Sequence, residues 1–196
     1  MNKMLKNSLR IILLSLVLFL IAGCNGKQAN VKAAGQTKNQ LSAWTVYWDA
    51  EEGSKEFRRL EKRLDEVCLF GAYFEEDGKL FLPEELTFDK RVAKKKKQLA
   101  EYLTIVNDRD LSDGGKEYKK TEFLQELLND QERRKEHIDE IIALAKAERF
   151  DGVEIDYERI WKDCETKDSF LPFVKELYAA TTANDLKLRV VLEPGT

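Results

Sequence analysis

Three carboxylic acids alternate with apolar residues in one short stretch, and their spacing suits acid–base chemistry. Residues 150–158 read FDGVEIDYE, with Glu154, Asp156 and Glu158 at the even positions. Successive side chains of a β-strand point to opposite faces, so a strand here would place the three acids on one face. Like charges in a row disfavour one another's ionisation, so at least one carboxyl pKa should be raised. A raised carboxyl pKa suits a general acid working near neutral pH.

The acidic stretch lies in a chain of alternating predicted strands and helices. Apolar and aromatic runs predict the other strands at 41–49, 66–74, 99–107 and 186–192. This order indicates an α/β fold, a parallel sheet with helices outside it, as in an open doubly wound sheet or a (β/α)8 barrel. No glycine-rich phosphate loop follows the first predicted strand, which disfavours nucleotide binding.

Local signals predict how some of these elements are connected. Residues 77–82 contain an Asp-Gly turn signal and predict a small hairpin, whereas 108–120 read as a polar loop. A helix capped by Asp168 or Ser169 would place Pro172 in its first turn, where proline is tolerated.

The N-terminal segment has the organisation of a bacterial secretion signal. Basic residues precede an apolar run at 11–21, which is about half of the roughly 20 residues that a spanning helix needs. The run ends in IAGC, which resembles a lipobox and predicts lipidation of Cys24. An ordinary signal peptide that happens to contain a cysteine is the alternative.

These features predict the domain organisation and the location of the protein. We expect 1–23 to be a lipoprotein signal peptide and 24–40, which is polar and has no large apolar residue beyond Val31, to be a flexible tether. Residues 41–196 would form the folded domain. Lipidated Cys24 would then anchor an extracytoplasmic lipoprotein to a membrane of the bacterial cell envelope without a spanning helix.

Charge and residue counts exclude several classes of function. The net charge is −3 and becomes more negative once the basic signal peptide is removed, which argues against a nucleic-acid partner. No metal-ligand spacing appears, and we expect neither a metal nor a cofactor. His137, the only histidine, lies among charged residues and is expected on a solvated helix surface. Cys68 is expected to be buried, and a Cys68–Cys164 disulfide remains open.

Residues 151–158 resemble the D-x-x-D-x-D-x-E signature of glycoside hydrolase family 18, which lies on the fourth strand of a (β/α)8 barrel. Phe150 and Gly152 also match, as do YWD in the first predicted strand, LFGAYF in the second, and Pro194 after the fifth. The resemblance covers 41–196 and implies a partial TIM barrel, with the first five strands present and the C-terminal strands missing.

The resemblance implies roles for the acidic residues. Glu158 matches the general acid that protonates the leaving glycosidic oxygen. The nucleophile is the 2-acetamido oxygen of the substrate, so no protein carboxylate attacks the sugar. Asp156 matches the residue that orients the acetamido group. Glu154 takes the place of a middle aspartate that helps to hold the charge of its neighbour, and Asp151 would support the strand entrance.

Two departures from the family pattern accompany the resemblance. Glu154 replaces an aspartate, and residues 103–107 read LTIVN where chitinases have S-x-G-G. The latter ending looks more like the bacterial branch that acts on cell-wall or spore peptidoglycan.

The implied function is that of a lipid-anchored hydrolase of β-1,4 bonds in N-acetylglucosamine-containing glycans, either chitin or peptidoglycan. Aromatic side chains are the expected sugar platforms, and the candidates are Tyr47, Tyr73, Tyr157 and Trp161. The alternative is a carbohydrate-binding lipoprotein with a catalytically incomplete barrel. A structural envelope lipoprotein is a third possibility, against which the intact motif argues.

Overall fold

A computed structural model describes residues 39–60, 62–87, 99–162 and 164–193. The expected signal peptide, Cys24 and most of the tether lie outside the described residues and stay predictions. Residues Gln40–Thr196 form one compact unit. Within the described ranges, no helix combines the length and the apolar character needed to cross a membrane.

A mainly parallel sheet forms the centre of this unit. Its main path runs, in chain order, through β1 (Ser42–Val46), β2 (Glu66–Phe74), β4 (Ala100–Asp110), β6 (Gly152–Asp156) and β7 (Lys187–Val190). Each of these strands pairs in parallel with the next. Two short strands, β3 (Leu80–Phe81) and β5 (Lys116–Glu117), return antiparallel onto β2 and β4. In the described part of the chain β1 and β7 are not paired with each other, as expected for a partial barrel.

Helices lie between β1 and β2, between β4 and β6 and between β6 and β7, as the sequence predicts, whereas residues 88–98 before β4 lie outside the described residues. The helices are α1 (Ala50–Leu60), α2 (Glu122–Asn129), α3 (Gln131–Ala147) and α4 (Cys164–Ala183). Helix α3 starts where Asp130 caps it, because the N–H groups of Glu132 and Arg133 both donate to Asp130 Oδ1 at 2.9 Å. The α/β fold is confirmed.

Apolar residues of β6 and the helices form the core on one side of the sheet. Val153 and Ile155, at odd positions of β6, are fully buried there among helix residues. His137 lies in this layer with 2% exposure, so the expectation of a solvated histidine is wrong. The physical reason is its spacing: His137 precedes buried Ile141 by one helical turn and therefore lies on the apolar stripe of α3.

Other local predictions had mixed outcomes. The hairpin within 77–82 is confirmed by the pairing of β3 with β2. The polar loop at 108–120 is wrong in part, because β4 continues to Asp110 and β5 returns along it, with Lys116 Nζ 2.7 Å from Asp110 Oδ1. The position of Pro172 is also wrong: α4 begins at Cys164, so Pro172 lies inside the helix and not in its first turn.

Candidate active site

The three acids occupy one face of β6 and the loop that follows it. Glu154 is completely buried, Asp156 is half-buried at the end of the strand, and the Glu158 side chain is 27% exposed two residues further on. Glu154 is therefore closed to solvent, whereas the two acids at the C-terminal end of the strand are partly open. Active sites of (β/α) barrels lie at this end of the sheet.

Glu154 is held by side chains from four different strands. Its Oε1 accepts hydrogen bonds from Trp44 Nε1 on β1 at 2.7 Å and from Thr104 Oγ1 on β4 at 2.8 Å. Its Oε2 accepts from Cys68 Sγ on β2 at 3.4 Å and lies 3.1 Å from Arg189 Nε on β7. Both oxygens are therefore occupied, and Glu154 is a fixed anchor at the centre of the sheet.

Arg189 connects Glu154 to a second group of polar side chains. Its Nη1 donates to Ser42 Oγ at 2.9 Å and to Glu66 Oε2 at 3.0 Å, while Tyr102 donates to the other oxygen of Glu66 at 3.2 Å. The guanidinium also lies 5.3 Å from the centre of the Tyr102 ring. A Cβ on Gly152 would be only 2.7 Å from that ring, so glycine is required beside it.

Cys68 is a buried free thiol, as the sequence predicts for its burial. Cys68 forms no disulfide in the structure, and the side chain of Cys164, the partner that the sequence left open, lies outside the described residues. Burial, reinforced by the charge of Glu154, raises the pKa of Cys68 to about 12. The thiol is therefore neutral at physiological pH and serves as a hydrogen-bond donor to Glu154.

The expected raised pKa within the acidic row is found at Asp156. Burial is the main cause, and the charges of Glu158 and Glu154 add to it, whereas Lys119 opposes it. Together they raise the pKa of Asp156 to about 6. Asp156 therefore takes up a proton at a much higher pH than an ordinary aspartate, which fits a group that holds a proton or a hydrogen bond during a reaction.

Residues at the end of β4 and after β5 hold Glu158. The backbone N–H of Glu158 donates to Asn107 Oδ1 at 2.9 Å, and Asn107 Nδ2 donates to the Glu158 carbonyl at 3.1 Å. The Lys119 ammonium forms an ion pair with the Glu158 carboxylate. Asp108 in turn accepts the Lys119 backbone N–H at 3.0 Å. None of these three residues had a predicted role, although a polar residue ending an apolar strand next to β6 was a usable signal for Asn107.

Asp151 lies at the opposite end of the strand from Glu158. Its carboxylate accepts the backbone N–H of Glu101 at 3.0 Å, and its own N–H donates to the Glu101 carbonyl at 2.8 Å. These contacts fasten the entrance of β6 to β4. Asp151 thus contributes to the placement of the strand.

The predicted sugar platforms are found in different environments. Tyr47 and Tyr73 are half-buried near the C-terminal ends of β1 and β2, with ring centres 6.4 Å apart. Trp161 is 41% exposed after β6. Trp44, which was not predicted as a site residue, is 58% exposed although its indole reaches Glu154. A sugar-binding role for Tyr47, Tyr73 and Trp161 stays a prediction.

Tyr157 is located on the other side of the sheet. It is 4% exposed, its hydroxyl bonds to His137 Nε2 at 2.8 Å, and its ring stacks on Phe173. The prediction that Tyr157 contacts sugar is therefore wrong. The alternation that places the acids on one face of β6 sends Tyr157 to the face that packs against the helices.

The sheet order, the outer helices and an acidic row at the C-terminal end of a central strand together define part of a (β/α) barrel with a candidate acid–base site. A family model described as glycosyl hydrolases family 18 matches residues 43–195. The chain belongs to this family.

Solved structures support the fold. The class V chitinase from Nicotiana tobaccum shares 16% identity at a TM-score of 0.63, over 79% of this chain and 44% of that one. The spore cortex-lytic enzyme SleL from Bacillus cereus shares 18% at 0.63, over 81% and 36%. The chitinase-like agglutinin from Robinia pseudoacacia shares 19% at 0.57, over 76% and 45%. The chain thus spans less than half the length of each. No curated protein sequence matched it.

Proposed function

We propose that this chain carries the catalytic acids of a chitinase-type glycoside hydrolase. Its substrate would be a glycan containing β-1,4-linked N-acetylglucosamine, either chitin or peptidoglycan. The observation that carries the proposal is the row Glu154, Asp156 and Glu158 on one face of β6 and the following loop, with Glu154 buried and the other two partly open, in a chain of family 18. The partly exposed Glu158 is accessible to a polymer, and the buried Glu154 holds the strand that carries the acids in place.

In the proposed reaction, protonated Glu158 gives its proton to the leaving glycosidic oxygen. The 2-acetamido oxygen of the substrate attacks the anomeric carbon as that bond breaks, and an oxazolinium ion forms. Water then opens the ion while Glu158 takes a proton back, so the anomeric configuration is retained. Asp156, whose pKa is raised to about 6, would orient the acetamido N–H and balance the developing charge.

Glu154 would act through placement and charge. Its two oxygens already accept from four side chains, which leaves neither oxygen available for the sugar. Its negative charge contributes to the raised pKa of Asp156. In this proposal the replacement of the family's aspartate by glutamate turns this position into a structural anchor.

We further propose that the protein is a lipoprotein of the cell envelope, anchored by lipidated Cys24 and reaching its polymer through the tether at 24–40. The basic N-terminal residues, the apolar run at 11–21 and the IAGC sequence that ends it support this proposal. Labelling of cells expressing wild type and Cys24→Ser with radioactive palmitate tests it, because Cys24→Ser removes the thiol that would carry the lipid. We expect label on wild type and none on Cys24→Ser, and equal labelling of the two would refute lipid anchoring.

Hydrolysis of chromogenic N-acetylglucosamine oligomers tests the enzymatic proposal. Glu158→Gln keeps the shape of the side chain but removes its acid function, and the rate should fall by about 10²- to 10⁴-fold. Glu126→Gln, on the exposed surface of α2, is the matched control and should behave as wild type. Equal rates for wild type and Glu158→Gln would contradict the proposal.

Carbohydrate binding without turnover is the second candidate. The ion pair with Lys119 favours it, because the ammonium occupies a Glu158 oxygen that would have to face the sugar during catalysis. Calorimetric titration with N-acetylglucosamine oligomers separates the two functions. Binding by a wild type that releases no product would support this candidate over the hydrolase.

A further inference from the structure

We propose that Asn107 is a positioning residue for Glu158. Its side chain holds the backbone of Glu158 in place and thereby fixes the position of the acidic side chain. This inference rests on the proposed function for its kinetic consequence. The contacts that carry it are independent of that function.

Glu158 needs such support because the strand no longer holds it. Strand β6 ends at Asp156, and Arg159 immediately after the acid has a left-handed φ of 65°. The chain therefore turns away from the sheet just where the acid must be fixed. Few side chains adopt this backbone conformation without cost, so the turn depends on its neighbours for stability.

The side chain of Asn107 replaces the missing strand neighbour. Its Oδ1 accepts the Glu158 N–H at 2.9 Å, and its Nδ2 donates to the Glu158 carbonyl at 3.1 Å. A side-chain amide thus makes both hydrogen bonds that a neighbouring peptide group would supply. The pairing of β4 with β6 ends at Val106 and Asp156, and this amide extends it to Glu158, two residues beyond Asp156.

Asn107 is itself well fixed. It is 1% exposed within β4, and its Nδ2 also donates to the Lys120 carbonyl at 3.2 Å. Asp108, next to it, accepts the backbone N–H of Lys119 at 3.0 Å. Residues 107 and 108 thus join the backbone of the acid to the segment that carries its ion-pair partner. Because Asn107 is buried, it cannot contact a glycan and can act only through Glu158 and this segment.

Two substitutions at this position probe the contacts. Asn107→Ala removes the hydrogen bonds to Glu158 and Lys120 together. Asn107→Asp keeps an acceptor for the Glu158 N–H but places a carboxylate oxygen against two carbonyl oxygens, which disfavours the clamped geometry. Asn184→Ala is the matched control, because Asn184 bonds to the Ala180 carbonyl at the end of α4, away from the acidic row.

Steady-state kinetics on N-acetylglucosamine oligomers, at a temperature where circular dichroism shows every variant folded, tests the proposal. Displacing an acid by a fraction of an ångström to 1 Å should lower kcat by about 10- to 100-fold. We expect this loss in Asn107→Asp and Asn107→Ala with KM within about twofold, and wild-type constants in Asn184→Ala. A kcat within about twofold of wild type in the folded Asn107 variants would overturn the proposal.

Hydrogen exchange at the Glu158 amide provides a readout that needs no activity. The amide should exchange at least about tenfold faster in Asn107→Ala than in wild type, because its acceptor is gone. An unchanged rate would overturn the positioning role. If wild type fails to cleave any oligomer, the proposed function fails, and this measurement alone decides the role of Asn107. If Asn107→Ala does not fold, Asn107→Asp decides the kinetic test.

Discussion

Glu154→Asp restores the residue that the family signature has at this position, and in this protein we expect it to be destabilising. The shorter side chain draws the carboxylate back by about 1.5 Å, the length of one carbon–carbon bond. The present contacts measure 2.7, 2.8, 3.1 and 3.4 Å and come from four separate strands. A retracted carboxylate cannot reach all four donors, because they are fixed by different parts of the sheet.

The magnitude of the destabilisation follows from how many of the four donors the shorter carboxylate fails to reach. Hydrogen bonds to a charged group contribute about 1.5–3 kcal/mol each, so breaking two of the four should lower the free energy of unfolding by about 3–6 kcal/mol. For a domain of this size that lowers Tm by about 6 °C or more. Partial relaxation of Arg189, which also bonds Ser42 and Glu66, would bring the destabilisation to the lower end of the range.

Urea unfolding and differential scanning calorimetry measure this destabilisation. Glu126→Asp, which shortens an exposed glutamate on α2, is the matched control and should stay within about 0.5 kcal/mol of wild type. A double-mutant cycle with Thr104→Val should show coupling, since Thr104 donates directly to Glu154. If Glu154→Asp lowers the free energy of unfolding by no more than the control does, the role of Glu154 as an anchor of the sheet is refuted.

Three further predictions concern charge and packing on the two sides of the sheet. Lys119→Met should raise the pKa of Asp156 above about 6, because Lys119 opposes that rise, and carbon-13 NMR of the carboxyl can follow the titration. Burial lowers the pKa of His137, so the unfolded state binds a proton at a higher pH than the folded state does. The free energy of unfolding, measured with urea, should therefore fall below pH ~6.5, by up to about 1.4 kcal/mol per pH unit. Gly152→Ala should cost stability, since its Cβ would lie 2.7 Å from Tyr102.

Each of these predictions has a control and a contrary result. Lys135→Met removes an exposed lysine of α3 and should leave the Asp156 titration unchanged; equal shifts in both lysine variants would refute a local effect. His137→Gln should flatten the pH dependence of the free energy of unfolding below pH ~6.5. An unaltered slope would mean that other groups cause this pH dependence. The charged neighbours of His137 are Glu140 and Lys79. Wild-type stability in Gly152→Ala would contradict the close packing against Tyr102.

The strand and helix order could be predicted because it depends on the pattern of residues that are close together in the chain. Residues 153–158 alternate apolar and acidic side chains, and this period of two is enough to place a strand and to sort its faces. The same rule puts Tyr157 on the apolar face, so its position was available from the sequence. Its proximity to the acids along the chain was a weaker guide than the alternation.

Other features could not be predicted because they depend on distant residues. The partners of Glu154 come from strands up to 110 positions away in the chain, and only the parallel pairing brings them together. His137 has charged neighbours in sequence, yet its helical spacing to Ile141 buries it. Asn107 contacts Glu158 only because β4 lies next to β6, which requires the sheet order.

The anomeric configuration of the first product tests the proposed mechanism most directly. Proton NMR can follow the hydrolysis of a chitin oligomer from its first minutes, before mutarotation mixes the anomers. We predict a β-anomer as the initial product of wild type and no product above background from Glu158→Gln. An initial α-anomer, or equal product from the two proteins, would contradict retaining catalysis by the acidic row on β6.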